Sequence, residues 1–409
     1  MSLHIPTLDR ARINAIPALY TISKKGNTII AEPTRDDLPY FKNTDASTVI
    51  QKALDNLTSG RTWKETIVIK GDFEISQVIK IPSYTRLILQ GKLKLKANVD
   101  TSKLIEVTTD RFVWITNSDH INGNTAIEII GGVIDGNKDN NTATIYGLEF
   151  NHVTDVIVAY TKIMHVRETA LAFESWNGNS YRCYALFNYI EDTLYDGMGN
   201  QDGSDFWYVG NVVKGAIPLT GITVDKGSNV YIIGNLVDGV TNNGIWAKAN
   251  SSKVKIIGNT SRNNGYSGIV ASGVDILISG NIAYGNSDYG GALLTGCDQA
   301  KVFLNDFRGN ITGAFLVQTG VTNYEVKHNL GYVTENRGVA TFSGDGVTAQ
   351  FVIAHGLAGA PSVVNVTPAS ADASGDFYIT SDASNIYVNF ISAPPTGTDN
   401  VVLNWSAEI

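Results

Sequence analysis

Acidic side chains crowd one stretch of this 409-residue chain: DGMGNQDGSDF, residues 196–206, sets Asp196, Asp202 and Asp205 among three glycines. Two further carboxylates, Glu174 and Asp225, lie on either side of it in sequence. Carboxylates grouped in space can split a glycosidic bond, which needs one protonated and one ionised acid across the bond. The same string also reads as a calcium loop or as a polar turn. GNQDGSD does not keep the EF-hand order D-x-[DN]-x-[DN]-G with a closing Glu, which argues against a dedicated EF-hand. No Cys/His set has zinc spacing, and no metal ligands are assigned. Choosing among the remaining readings depends on where the surrounding chain puts these side chains.

The surrounding chain repeats. YALFNYIED, YVGNVVKG, YIIGNLVDG, KIIGNTSRNNG, LISGNIAYGN, VFLNDFRGN and VKHNLGYV each carry an alternating apolar run and then an Asn. These are Asn188, Asn211, Asn235, Asn259, Asn281, Asn305 and Asn329, spaced by 23, 24, 24, 22, 24 and 24 residues. A second run recurs out of phase, from GLEF (147–150) through ALAF, GMGN, GITV, GIWA, GIVA and GALL to GAFL (313–316). Short strands at this period are too few for a propeller blade, and no helical segment accompanies them. The pattern predicts an all-β chain: a right-handed, single-stranded parallel β-helix whose strands stack about 4.8 Å apart. Asn suits the sharp bend because it tolerates the left-handed conformation, and stacked Asn side chains can bond turn to turn.

Three segments follow from this reading: an N-terminal segment over 1–43, the β-helix over 44–337 and a C-terminal β module over 338–409. ASTVIQKALDNL (46–57) has helical periodicity and is expected to cap the open end, with Thr44 or Asp45 as N-cap. After 338 the Asn period stops and short alternating strands with Gly, Pro, Asp and Asn turns predict a small antiparallel module. It stands where a β-helix needs its second cap, and oligomerisation is a natural role. Cys183 and Cys297 lie several turns apart, beyond the roughly 7 Å Cα reach of a disulfide, and read as free thiols. A net charge of −8 argues against nucleic acid as partner. No apolar run is long enough to span a membrane. MSLHIPTLDRARINAIP lacks a secretory signal pattern, so the expectation is a mature start here or export by another route, such as inside a virus particle.

On ASTVIQKALDNL followed by IVIKGDFEISQVIKIPSYTRLILQG, on GGVIDGN and on the IIGN-type coils, residues 45–337 resemble the pectate-lyase-like right-handed parallel β-helix superfamily. The look is most similar to bacteriophage tailspikes and virus-encoded polysaccharide depolymerases. The polygalacturonase set NTD/DD/GHG/RIK and the alginate-epimerase YGFDPH are absent. The resemblance implies a polysaccharide substrate lying across the outer face of one sheet. It also implies a homotrimer joined through the C-terminal module, and a place outside the cell or on the virion tail.

In the GLEF-type strands, Leu148, Leu171, Met198, Ile222 and Ile245 are expected to point inward, which sends the third and fifth residues outward. The fifth column reads Asn151, Glu174, Gln201, Asp225, Lys248 and onward to Val317; the sixth reads His152, Ser175, Asp202, Lys226, Ala249; the third holds Glu149, Thr223 and Trp246. Ionisable residues concentrate in the middle coils, as a site on a repetitive scaffold would; a solvated sheet face with ordinary charges is the plainer reading. Glu174, Asp202 and Asp225 are the candidate acid, base or nucleophile, with Asp196 fourth. Glu174 and Asp225, two turns apart, would stand roughly 9–10 Å from each other, near the inverting range of about 6.5–9.5 Å. Asp202 is expected on the outer face beside Asp225. Trp246, Tyr195 and Trp207 are candidates for stacking on sugar rings, and Lys248, Lys226, Gln201 and His152 for binding substrate. The expected activity is a glycoside hydrolase without cofactor. One alternative is a polysaccharide lyase, in which Lys226 or Lys248 abstracts a proton and the acids hold Ca²⁺ against a uronate. Another is a glycan-binding tail protein that cleaves nothing. His165 and His355 read as structural.

Overall fold

A computed structural model describes residues 17–409. The chain winds as a parallel β-solenoid of about 11 turns. Three sheets run along its axis. The long sheet has 15 strands, a second has nine, and a third of eight strands runs from Leu148–Asn151 to Gly313–Val317. The third sheet is built from the GLEF-type repeats. Its register is continuous: Leu148 opposes Leu171, then Met198, Ile222, Ile245 and Ile269. All six are fully buried, so the expected inward column is correct. Inside, Phe150, Phe173 and Phe206 stack at centroid spacings of 6.2 and 6.1 Å.

The seven repeat asparagines form a ladder in the core. Asn211 accepts from the backbone N–H of Asn188 at 2.9 Å and donates through Nδ2 to Asn235 Oδ1 at 2.9 Å and to the Ala185 carbonyl at 2.9 Å. The pattern repeats to Asn329. One expectation is corrected. The asparagines are not themselves the left-handed residues. That conformation falls on the residue before each: Phe187, Gly210, Gly234, Gly258, Gly280, Leu304 and His328, with φ between 54° and 65°. Asn is selected for its side-chain bonds, and Gly precedes it where the bend is most economically made without a Cβ. A shorter ladder, Asn264–Asn286–Asn310, lines a second corner, with Nδ2–Oδ1 distances of 2.8 Å at both steps.

The N-terminal end is closed as expected by a helix, observed over Ala46–Asp55, whose Asp45 side chain accepts from Ser47 N at 2.9 Å. It buries Val49, Ile50, Ala53 and Leu54. Three strands that the sequence did not announce extend the long sheet and blunt its edge: Tyr20–Lys25 pairs parallel with Glu65–Lys70, and Thr28–Pro33 and Phe41–Asn43 follow antiparallel. The C-terminal module consists of two three-stranded antiparallel sheets around Phe351, Ile386, Val388 and Leu403. Cys183 and Cys297 are free and buried. His355 is fully buried and accepts from Leu357 N at 3.0 Å, and His165 lies 3.1 Å from Asp135, so both hold structure.

Candidate functional site

On the outer face of the third sheet, residues of successive coils meet in a cleft of about 100 Å³. Register sets its floor. Asn151 opposes Glu174, and Gln201 opposes Asp225, so Glu174, Gln201, Asp225 and then Lys248 follow one another up the sheet. Thr223 and Gly199 fill the third column between them. A Cβ on Gly199 would stand 2.6 Å from the Thr223 carbonyl, which keeps the floor flat there.

Glu174 is 7% exposed, and its Oε2 has no hydrogen-bond partner. Burial, then the charges of Glu149, Glu168 and Asp225, push its carboxyl well above the ordinary range, and Arg111 opposes them only in part. Asp196 sits where the chain enters the Met198 strand. It accepts from Thr220 N at 2.8 Å, and burial raises its pKa. Asp225 is the more open acid and is approached by Lys248, with Nζ 3.6 Å from Oδ2. The cleft therefore holds buried carboxyls that burial favours in the protonated form, Glu174 among them, and one more open acid, Asp225, beside a cation.

Of the residues the sequence nominated, Glu174, Asp196, Asp225, Gln201, Lys248 and Tyr195 come together here. Trp246 is their neighbour; it opposes Thr223, and Lys248 Nζ lies 5.4 Å from its ring centre. Asp202, Lys226 and His152 do not line the cleft. All three are left-handed, with φ of 57°, 57° and 55°, so the chain turns away at the sixth position and strict alternation ends there. Asp202 touches Asp225 only through its backbone, N to O at 2.8 Å. His152 lies in a separate hollow, Nδ1 2.8 Å from the Ile121 carbonyl. Trp207 belongs to the long sheet, stacked between Tyr184 and Tyr231 at 4.5 and 5.4 Å. Asp205 is structural, bonded to Asn229 and Ser204.

Four cleft residues escaped the sequence reading: Arg111, Tyr146, Glu168 and Trp176. Arg111 and Tyr146 arrive on Arg111–Val113 and Thr144–Tyr146, two strands of a small sheet outside the repeat. Arg111 Nη1 bonds Glu168 Oε1 at 2.6 Å and lies 4.9 Å over the Tyr195 ring. Desolvation works against the Arg111 charge, but hydrogen bonds to Tyr146 and Tyr195 and the Glu168 carboxylate outweigh it and raise its pKa. Trp176, 42% exposed, stands at the rim. Glu149, expected outward and open, does point off the sheet but is fully covered, because Ile115–Asn117 packs alongside the first strand.

Among solved structures, the chain is similar to the A-module of mannuronan C-5 epimerase AlgE6 from Azotobacter vinelandii, with TM-score 0.60 and 14% identity over 71% of this chain and 83% of that one. It is also similar to ORF18 of Geobacillus virus E2, with TM-score 0.58 and 12% identity over 86% of this chain and 75% of that one. The Dettilon tailspike protein gp208 matches at TM-score 0.46 and 12% identity over 89% of this chain and 91% of that one. At these identities the likeness to the first two is one of fold alone. No curated protein matches the sequence. The family model described as "Periplasmic copper-binding protein (NosD)" matches residues 112–336, more than half of the chain and nearly the whole run of coils that carries the cleft, and the chain belongs to that family.

Proposed function

We propose that this chain is a glycan depolymerase that hydrolyses a polysaccharide laid across the third sheet. Glu174 is the proton donor and Asp225 the base that activates water. The observation that carries the reading is the contrast between these two acids: one column, two strand steps apart, one buried with a raised pKa and one partly solvated beside Lys248. A hydrolase needs that division of labour. Two strand steps are about 9–10 Å, closer to the separation of inverting than of retaining enzymes, which is about 5–5.5 Å. Gln201 and Tyr195 would hold the sugar, and Trp176 and Trp246 would offer ring faces to it. The substrate places the protein outside the cell or on a virion, consistent with the periplasmic setting in the family's description.

The family description names copper, and the donor set does not fit that ion. Copper sites draw on His, Cys and Met. Here both cysteines are core residues, and among the described residues no group of three or more His, Cys, Asp or Glu is arranged to hold a metal. No step is routed through copper.

Purified protein incubated with a panel of neutral and acidic polysaccharides tests the reading, with reducing ends and ultraviolet absorbance followed together. New reducing ends without an unsaturated product support hydrolysis. Unsaturated product abolished by chelation would make it a lyase, and binding without any cleavage would make it a glycan-binding protein.

A further inference from the structure

The cleft has a polar wall behind it that the proposed reaction does not yet use. Glu149 lies on the strand before Glu174, opposite Ala172, so the two glutamates are diagonal neighbours on one face, their backbones about 8 Å apart from strand spacing and rise. Each has a buried carboxyl oxygen without a hydrogen-bond partner, Glu149 Oε1 and Glu174 Oε2. The other oxygen of Glu149 is bonded: Thr116 Oγ1 lies 3.3 Å from Oε2. The same hydroxyl lies 2.7 Å from His120 Nε2. Glu149 and Thr116 are wholly buried, and His120 is half-buried. Two buried acids on one face, each with a free oxygen, are costly to ionise together, and after burial the Glu149 charge is the largest cause that raises the Glu174 carboxyl.

We propose that Glu149 is a positioning residue that carries a proton between Glu174 and a Thr116–His120 path to the surface behind the groove. This rests on Glu174 being the proton donor of the proposed hydrolysis. When Glu174 gives its proton to the departing glycosidic oxygen, the O–H bond of Glu149 breaks and a new one forms on Glu174. The Thr116 hydroxyl proton passes to Glu149, the Nε2 proton of His120 passes to Thr116, and Nδ1 takes one from water. The base, Asp225, releases the proton of the attacking water to solvent, so one proton enters and one leaves in each turnover. The path lets Glu174 recover its proton while the glycan still covers the cleft.

The charged neighbours agree. Burial raises the Glu149 carboxyl to about 8, with Thr116 and Asn151 bonds pulling the other way, so it holds its proton at neutral pH. Glu174 faces Glu149, Glu168, Asp225 and Arg111. His120 faces Lys80 and Asp119, and burial is the main cause that lowers its pKa, which leaves the ring neutral and able to accept.

Glu149→Gln keeps the shape and removes the proton. Infrared titration of the carboxyl stretch, with Glu174→Gln to assign its band, reads the pair directly. Glu149→Gln is expected to remove a protonated carboxyl at neutral pH and to shift the Glu174 titration downward. An unchanged Glu174 titration would overturn the proposal. In turnover the variant is expected to lose kcat by on the order of ten- to hundredfold with KM unchanged, and the alkaline limb of its pH profile should move to lower pH. Thr116→Val should slow kcat and Thr116→Ser should restore it; equal rates in both would overturn the path. If the wild type cleaves no glycan, the hydrolase reading fails, and the infrared titration still decides whether Glu149 and Glu174 titrate as a coupled pair.

Discussion

Arg111 and Glu168 join two parts of the molecule that the repeat alone would leave apart: the guanidinium comes from the non-repeating insertion, and the carboxylate from the bend before the Leu171 strand, with Nη1–Oε1 at 2.6 Å. Glu168 is 1% exposed at its side chain, and burial raises its pKa despite this partner. Arg111→Met strands a buried acid, and the expected loss is about 3 kcal/mol. Glu168→Gln in the same chain should recover most of it. Chemical denaturation of the two single variants and the double variant measures the coupling; strictly additive losses would mean the pair is not linked.

Glu174→Gln and Asp225→Asn should each lower cleavage by roughly 10²–10⁴-fold while leaving glycan binding within a fewfold of wild type. Asp202→Asn, which alters an acid outside the cleft, should retain near-normal turnover. Equal loss in all three would show that the sixth column matters after all.

Glu149, Glu174, Glu168 and Asp196 all have raised pKa values with burial as the first cause. Between the ordinary carboxyl value of 4.5 and, for Glu149, about 8, the folded chain holds protons that the unfolded chain has lost. Stability is therefore greatest below that window and falls as pH rises through it. Glu149 alone contributes up to about 5 kcal/mol to the change. Unfolding free energies measured across the window should slope downward, and the slope should be shallower in Glu149→Gln.

Asn235→Ala removes the acceptor of the Asn211 N–H and Nδ2 and the donor to the Tyr208 carbonyl. With these groups left unpaired in the core, the expected cost is about 2–4 kcal/mol. Asn329→Ala, at the end of the ladder, should cost less. Hydrogen exchange would locate the loss in the coils on either side.

Light scattering should return the mass of three chains for the full protein. Val339 and Val363, both half or more exposed on one sheet of the C-terminal module, are expected at the contact. Val339→Asp should release monomers; a wild-type mass of one chain would refute the trimer.

The coil register was legible because two signals of the same period, the Asn and the GLEF-type run, ran out of phase over eight turns. That was enough to put Glu174, Gln201 and Asp225 in one column from the sequence alone. Alternation then misplaced Asp202, Lys226 and His152, because a strand of four residues ends at the fifth position and the next residue takes a left-handed turn. Arg111 and Tyr146 were out of reach for a different reason: they sit on segments that interrupt the period, and only the packing of 105–146 over the first strands brings them to the cleft. Trp176 follows the Glu174 strand by two residues, and an aromatic just beyond a carboxylate column was the one signal available for it.

The asparagine ladder has a direction. Each Asn sends both its backbone N–H and its Nδ2 forward to the Oδ1 of the coil that follows, while reaching back only to a carbonyl. During synthesis a coil leaves the ribosome with two donors waiting for a segment not yet made, and it becomes complete only when the next turn closes on it. Loss of coils from the C-terminal side would reopen two donors per Asn, the backbone N–H and one Nδ2 hydrogen, whereas loss from the N-terminal side would free one Nδ2 hydrogen and the Oδ1 acceptor. The solenoid is thus built to grow and to be sealed from one end, and the C-terminal module stands at the end where the seal is needed.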